Sequence, residues 1–162
     1  MNTKTLKSGI VGFPLNKPRS LTIWKAYIKL NNINAKFLAH EIKQTNFNLF
    51  MKNYLNDVNF LSTLITMPYK KLALKYADTL DSSARNANSC NLLVKKNKKI
   101  YAYNTDVIGA YKSVSKYMKK FDNILIIGLG GTGEAIFRFL YYKYKKKKFT
   151  LVSKNFFYKS KR

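Results

Sequence analysis

The chain has 162 residues, with 31 lysine and arginine residues against 7 aspartate and glutamate residues, and a formal net charge of +24. Its 46% hydrophobic and 15% aromatic content is typical of a globular chain and excludes an intrinsically disordered one. The single cysteine, Cys90, excludes a disulfide scaffold and a cysteine-rich zinc site, so we expect no metal.

The sequence predicts a cytoplasmic protein. The apolar runs are too short to span a bilayer, so we expect no membrane partner. The N-terminus begins with basic residues but lacks the apolar core of a signal peptide.

The positive charge raises the question of nucleic-acid binding, because clustered basic residues release counterions from a phosphate backbone. However, 27 of the 31 basic residues are lysine and only 4 are arginine, whereas base-edge and bidentate phosphate recognition favour arginine. Lysine, asparagine, isoleucine, phenylalanine and tyrosine also share A/T-rich codons, so a biased genome explains this composition. We therefore predict no specific nucleic-acid partner and keep a basic nucleic-acid-binding protein as the weaker alternative.

Strand-like and helix-like segments alternate along the first two thirds of the chain, which predicts an α/β sandwich. The predicted strands span residues 9–15, 35–42, 61–67, 89–94 and 100–103, and the last two form a hairpin around the polar turn KKNKK. The predicted helices span 47–55, 71–76 and 82–86, with two more that begin at Ser20 and Asp106. Both of these side chains are suitable helix N-caps.

The pattern is sharper after residue 122. An apolar strand at 124–127 runs into the glycine-rich turn GLGGTGEA at 128–135, then into a helix and a second strand at 149–153. This order is the opening of a dinucleotide-binding unit, because glycines let backbone N–H groups approach a pyrophosphate at a helix N-terminus. The candidate cofactor-binding residues of the turn are Gly128, Gly130, Gly131, Thr132 and Gly133. A plain tight turn is the alternative.

The end of the second strand distinguishes between the two nicotinamide cofactors. An NAD site needs a carboxylate there for the ribose 2′-hydroxyl, but this sequence has Ser153 and Lys154. A hydroxyl and a cation suit a 2′-phosphate, so we predict NADP. Lys154 as an ordinary surface lysine is the alternative.

Four stretches, in this order, resemble the shikimate dehydrogenase family: GFPLNKPRS at 12–20, TMPYK at 66–70, NSCNLL at 88–93 with YNTD at 103–106, and GLGGTGEA at 128–135. The resemblance implies a substrate-binding α/β sandwich with a mixed sheet over residues 1–118. The start of a Rossmann NADP-binding domain would follow over 119–162. It also implies reversible NADP-dependent reduction of 3-dehydroshikimate to shikimate, in the biosynthesis of aromatic amino acids, with quinate or a related acid as another substrate.

The resemblance also assigns roles to five side chains. Lys70 and Asp106 would form the catalytic pair, and Asp106 would also bind the substrate. Ser20, Thr66 and Asn91 would hydrogen-bond the substrate carboxylate and hydroxyls. Each residue has a structural alternative: Lys70 as a solvated lysine, Ser20 and Asp106 as helix caps, Thr66 as a strand residue and Asn91 as an idle hairpin residue.

The chain departs from the family pattern in three places. Pro18 stands where the first loop usually has a second hydroxyl residue, and Leu64 stands where an asparagine is common. The chain also ends soon after the second Rossmann strand, which we interpret as C-terminal truncation. A paralogue acting on another hydroxy acid and a non-catalytic module that binds a small hydroxy acid therefore stay open. An unfinished sheet edge favours association, so a homodimer also stays open.

Overall fold

The structure, a computed structural model, describes residues 4–154 and the strand at 156–159. The strands are β1 (Leu6–Gly12), β2 (Ala35–Glu41), β3 (Phe60–Ile65), β4 (Thr79–Leu80), β5 (Leu92–Lys96), β6 (Lys99–Tyr103), β7 (Asn123–Ile127), β8 (Lys148–Ser153) and β9 (Phe156–Lys159). The α-helices are α1 (Arg19–Leu30), α2 (Gln44–Asn56), α3 (Ser82–Ala87), α4 (Thr105–Met118) and α5 (Gly131–Lys143), and a short 3-10 helix spans Leu72–Tyr76. The predicted α/β class is confirmed.

The first six strands form one mixed sheet in the order β2-β1-β3-β5-β6-β4. The strand β1 lies parallel to both β2 and β3, and the helices α1 and α2 make the crossovers that parallel neighbours require. The hairpin of β5 and β6 then joins antiparallel to β3. This arrangement brings the carboxyl ends of β1, β2, β3 and β6 to one edge of the sheet.

The two faces of this sheet are covered unequally. On one face, α2 buries Phe47 and Met51 against Val11 and Ile65, and the ring of Phe47 stacks on Tyr69 with centroids 3.9 Å apart. On the other face, α1 contributes no fully buried side chain of its own. This difference leaves part of the second face open beside α1.

The strands β7, β8 and β9 form a second sheet, with β7 parallel and β9 antiparallel to β8. Its buried cluster joins Phe149 of β8 and Phe139 of α5 to Val107 of α4. The helix α5 therefore packs against both this sheet and the helices α3 and α4. On β7, Leu125 and Ile127 are 59% and 78% exposed.

Neither predicted helix cap is correct. The helix α1 begins at Arg19 with Pro18 at its N-cap, where the proline φ of −63° suits a helix entry, so Ser20 lies within the first turn. The helix α4 is capped by Asn104, whose side chain accepts a hydrogen bond of 3.2 Å from the Val107 N–H. Asp106 therefore lies in the first turn with its carboxylate available for another partner.

Some predicted boundaries also differ from the structure. The first strand spans Leu6–Gly12 rather than 9–15, because Pro14 has no N–H with which to continue the ladder. The hairpin turn is tighter than predicted: Asn97 and Lys98 adopt φ values of 50° and 64°, as in a two-residue turn. The sequence predicted neither the two-residue strand β4 nor the strand β9. Among the residues described, none of the helices has the length and apolar character needed to cross a membrane.

Candidate active site

The candidate site residues lie where β3 ends, β5 begins and β6 ends. Because β5 runs antiparallel to both neighbours, these three chain ends meet at one edge. Backbone hydrogen bonds join them: the Ile65 N–H donates to the Asn91 carbonyl at 2.9 Å, and the Asn91 N–H donates to the Tyr103 carbonyl at 3.0 Å. Residues distant in sequence are thereby brought to the carboxyl ends of parallel strands, where α/β proteins bind their ligands.

Lys70 and Asp106 form an ion pair at this edge. The Lys70 Nζ lies 2.7 Å from the Asp106 Oδ2, and the two side chains are only 18% and 36% exposed. The Lys70 carbonyl accepts a hydrogen bond of 2.9 Å from the Cys90 N–H, which fixes the backbone that carries the amine. Since Asn104 caps α4, the Asp106 carboxylate binds this amine instead of serving as the cap. Lys70 is not a freely solvated lysine.

Asn91 holds the start of α4. Its side-chain Oδ1 accepts a hydrogen bond of 2.8 Å from the Thr105 N–H, and its Nδ2 donates to the Thr105 hydroxyl at 2.8 Å. The Asn91 side chain is therefore engaged and not idle. Because Thr105 immediately precedes Asp106, this contact also positions the carboxylate that binds Lys70.

The glycine-rich turn lies next to this pair, because the Lys70 Nζ also contacts the Thr132 Oγ1 at 3.3 Å. Gly128 has a φ of +94°, which strongly favours glycine. A Cβ on Gly133 would lie 2.0 Å from the Gly128 carbonyl oxygen, so the turn closes only with glycine there. A Cβ on Gly130 or Gly131 would meet no described atom within 4 Å.

This turn fits a phosphate group. Gly130 is the N-cap of α5 and has no side chain with which to cap it. The first N–H groups of the helix therefore face the open space above Gly130 and Gly131, where backbone donors and the helix dipole favour an anion.

The remaining predicted residues do not join these contacts: Ser20 lies in the first turn of α1, Thr66 follows β3, and Ser153 and Lys154 lie at the end of β8. Ser20 and Thr66 are half-buried, and among the described residues their hydroxyls make no hydrogen bond to Lys70, Asp106 or Asn91. Ser153 ends β8 and Lys154 is exposed just after it. They lie close to the glycine turn because the Gly128 N–H donates to the Val152 carbonyl at 2.8 Å.

The sequence did not predict a second ion pair, which joins Lys71, the residue after Lys70, to the first turn of α5. Glu134 of α5 accepts hydrogen bonds from the Lys71 Nζ at 2.8 and 3.0 Å and from the Arg138 Nε at 2.9 Å. The Lys71 contact, with Arg138 as a lesser cause, holds the pKa of Glu134 below its ordinary value of 4.5. The available signal was an acid in the first turn of α5, in a chain with only seven acids.

The arrangement has the elements of a proton-transfer site beside a phosphate-binding turn. An ammonium held by a carboxylate donates a proton to a nearby oxygen and takes it back. Cys90 is not part of this chemistry, because burial raises the pKa of its thiol to about 12.

The comparisons with known proteins agree on one family. Residues 10–93 match the family model of the shikimate dehydrogenase substrate-binding domain. The NADP(+)-dependent shikimate dehydrogenase of Methanococcus vannielii is 32% identical over 160 residues, which cover 96% of this chain and 54% of that protein. The corresponding enzyme of Pyrococcus furiosus is 34% identical over 140 residues, covering 84% of this chain and 50% of that protein.

The structural comparison gives the same result. The crystal structure of the Aquifex aeolicus shikimate dehydrogenase matches with a TM-score of 0.80 and 27% identity, covering 96% of this chain and 58% of that chain. This chain thus spans about half the length of the curated relatives it matches.

The Lys71–Glu134 pair predicts a pH-dependent contribution to stability. Because folding lowers the Glu134 pKa, the pair stabilises the fold above pH 4.5, and this contribution disappears as the pH falls through the lowered pKa. We expect Glu134→Gln to reduce the free energy of unfolding at pH 7 by about 0.5 kcal/mol, since both side chains are partly exposed. Urea unfolding at pH 7 and at pH 3 measures the difference between the two proteins.

Asp122→Asn is the matched control, because it removes the same charge from a carboxylate that is 81% exposed. We expect it to change the unfolding free energy less than Glu134→Gln at pH 7. A loss of stability in Glu134→Gln that is as large at pH 3 as at pH 7 would contradict the role of the ion pair.

Proposed function

This chain belongs to the family of the shikimate dehydrogenase substrate-binding domain, and on that premise we propose that it is an NADP-dependent oxidoreductase that interconverts 3-dehydroshikimate and shikimate. One observation carries the proposal. The Lys70 Nζ lies within hydrogen-bond distance of both the Asp106 carboxylate and Thr132 of the glycine turn. The amine that would donate the proton therefore contacts both its carboxylate partner and the candidate cofactor turn.

Lys70 is the proposed acid and base of the reaction. It holds the proton that the carbonyl oxygen of the substrate needs as the oxygen becomes a hydroxyl, and it accepts that proton in reverse. Asp106 fixes the position of the amine, because its Oδ2 lies 2.7 Å from the Lys70 Nζ. NADPH, when bound, supplies the hydride. The limited exposure of both side chains reduces competition from water for this proton.

Four side chains are proposed to hold the substrate. Ser20 and Thr66 are half-buried, and their hydroxyls would bind its carboxylate and hydroxyl groups. Asn91 would contact a ring hydroxyl while keeping its bonds to Thr105. Asp106 would accept from the hydroxyl next to the reacting carbon.

The proposed cofactor is NADP, held by Gly128, Gly130, Gly131, Thr132 and Gly133 around its pyrophosphate. The open space over Gly130 and Gly131 supports this placement. Ser153 and Lys154 would bind the 2′-phosphate, which the absence of an acid at that strand end favours. Lys71 and Arg138 balance the charge of Glu134, which otherwise would repel a phosphate at the start of α5.

We further propose the division of the chain and its setting. Residues 1–118 would form the substrate-binding domain and 119–162 the start of the cofactor domain, a boundary supported by the end of α4 at Met118. The proposed setting is the cytoplasm.

Lys70→Ala tests the chemistry. We expect the rate of NADP-dependent shikimate oxidation to fall at least about 100-fold, the usual contribution of a positioned general acid. The assay follows the nicotinamide absorbance. Lys52→Ala, an exposed lysine on α2, is the matched control and keeps wild-type activity. Undiminished turnover in a folded Lys70→Ala sample would refute the catalytic role, and no turnover in the wild-type protein would favour a binding module.

Gly130→Ala tests the cofactor site. Its Cβ meets no described atom within 4 Å, so we expect the variant to keep the thermal midpoint of the wild-type protein. The added methyl would occupy the space proposed for the pyrophosphate, so we expect NADPH to bind at least about tenfold more weakly, a change of about 1.4 kcal/mol. Fluorescence titration with NADPH measures the affinity. Wild-type affinity in this variant would contradict the placement of the cofactor.

Gly133→Ala is the informative comparison for that titration. Its Cβ would lie 2.0 Å from a backbone oxygen, so this variant should lose stability as well as NADPH binding.

We propose that two copies of the chain associate through β7, the edge strand that exposes Leu125 and Ile127. Sedimentation of the wild-type chain at rising concentration should show a dimer. Ile127→Lys places a charge on the exposed face of this edge strand and should shift the sample to monomer. A wild-type monomer at every concentration would overturn this assembly.

A further inference from the structure

An acid lies at the helix end that is proposed to hold a pyrophosphate. Glu134 is in the first turn of α5, and its negative charge repels a phosphate placed there. Lys71 and Arg138 offset this charge, but an uncharged residue at the same position would need no such compensation. The contacts of Glu134 therefore indicate a role other than binding the cofactor.

Lys71 belongs to a firmly held segment. Nearby Tyr69 is fully buried, and its ring stacks on Phe47 of α2 with centroids 3.9 Å apart. Between these two residues, the Lys70 carbonyl accepts a hydrogen bond of 2.9 Å from the Cys90 N–H. The backbone that carries the Lys71 side chain is thereby attached to the body of the six-stranded sheet.

The start of α5 is held less firmly by packing. Gly130, Gly131 and Thr132 are exposed, and the first buried side chain of the helix is that of Ala135. Because apolar packing begins only at Ala135, polar contacts must fix the glycine turn relative to Lys70.

The ion pair of Lys71 and Glu134 is suited to this task. The Lys71 Nζ lies 2.8 and 3.0 Å from the two carboxylate oxygens of Glu134. The Arg138 Nε donates to the same carboxylate at 2.9 Å from one turn further along α5, which orients it toward Lys71. The neighbouring Lys70 Nζ contacts the Thr132 Oγ1 at 3.3 Å. Two consecutive amines of one segment thus contact the start of the same helix.

We propose that Lys71 and Glu134 are positioning residues that hold the glycine turn beside Lys70. Without this pair, the start of α5 would open more often, and the turn would bind the phosphates of a dinucleotide less tightly. The second consequence rests on the proposed function, because it takes the cofactor and its place from there. The first consequence needs no ligand.

Amide hydrogen exchange of the full chain without ligand tests the first consequence. The Gly128 and Glu134 amides report on the turn, because both donate backbone hydrogen bonds. We expect Lys71→Met, which removes the charge but keeps an unbranched side chain, to speed their exchange by about two- to fivefold, the range that an exposed ion pair supplies. At about 1 M salt the variant and the wild-type protein should exchange alike, since salt screens exposed charges.

Two further variants complete the exchange experiment. Lys71→Arg keeps a cation at this position and should retain the slow exchange of the wild-type protein. Lys75→Met is the matched control: it removes the same charge from the 3-10 helix, where the Lys75 Nζ contacts the Asn48 Oδ1 at 2.8 Å, and it should leave both amides unchanged. Unchanged exchange in Lys71→Met, or faster exchange that extends equally to the amides of β1, would overturn the proposal.

Glu134→Gln separates positioning from charge in NADPH binding. Loss of a negative charge beside the pyrophosphate would by itself tighten binding, whereas a less firmly held turn weakens it. We expect the dissociation constant of NADPH to rise about two- to fivefold in this variant, measured by fluorescence titration. Equal or tighter binding would refute a positioning role toward the cofactor.

The outcomes separate this inference from the proposed function. If NADPH does not bind the wild-type chain but Lys71→Met speeds exchange at the turn, only the proposed function fails. If shikimate is oxidised with NADP while exchange at the turn stays unchanged, only the inference fails. If NADPH does not bind and exchange is unchanged, both fail.

Discussion

The site depends on two buried amide side chains that attach the start of α4 to the edge of the six-stranded sheet. Asn104 is 1% exposed, and its Nδ2 donates to the Ser89 carbonyl at 2.9 Å while its Oδ1 caps α4. The Asn91 side chain hydrogen-bonds to both the N–H and the hydroxyl of Thr105. Buried amides with satisfied partners fix geometry strongly, because any alternative leaves a polar group unpaired. The Asp106 carboxylate is thereby held where Lys70 can reach it.

A second constraint sets the glycine turn beside that pair. The helix α5 packs through Phe139 against the cluster that includes Val107 of α4, so its start has a defined place relative to the first sheet. The contacts of Lys70 with Thr132 and of Lys71 with Glu134 lie at the end of this packed helix. Apolar packing supplies the attachment, and two consecutive lysines supply the polar contacts. The proton donor and the turn consequently lie together before any ligand binds.

The sequence predicted the features that depend only on residues close together along the chain. The alternation of strands and helices was predicted from apolar periodicity. The caps were wrong because adjacent residues competed: Pro18 and Asn104 took positions that Ser20 and Asp106 also suited. The contact between Lys70 and Thr132 joins residues 62 positions apart. The sequence did not predict this contact, because only the packing of α5 determines which atoms meet.

The exposed side chains of β7 also make the approach of two copies of the chain depend on salt. Two copies that approach through Leu125 and Ile127 bring together chains with a net charge of +24 each. Long-range repulsion opposes that approach at low ionic strength, and salt shortens its range to about 10 Å at 0.1 M. The surrounding electrolyte, and any polyanion in it, therefore controls whether the apolar strand edges of different molecules come into contact. For this chain, a rise in ionic strength therefore acts in the same direction as a rise in protein concentration, because both make encounters between its copies more frequent.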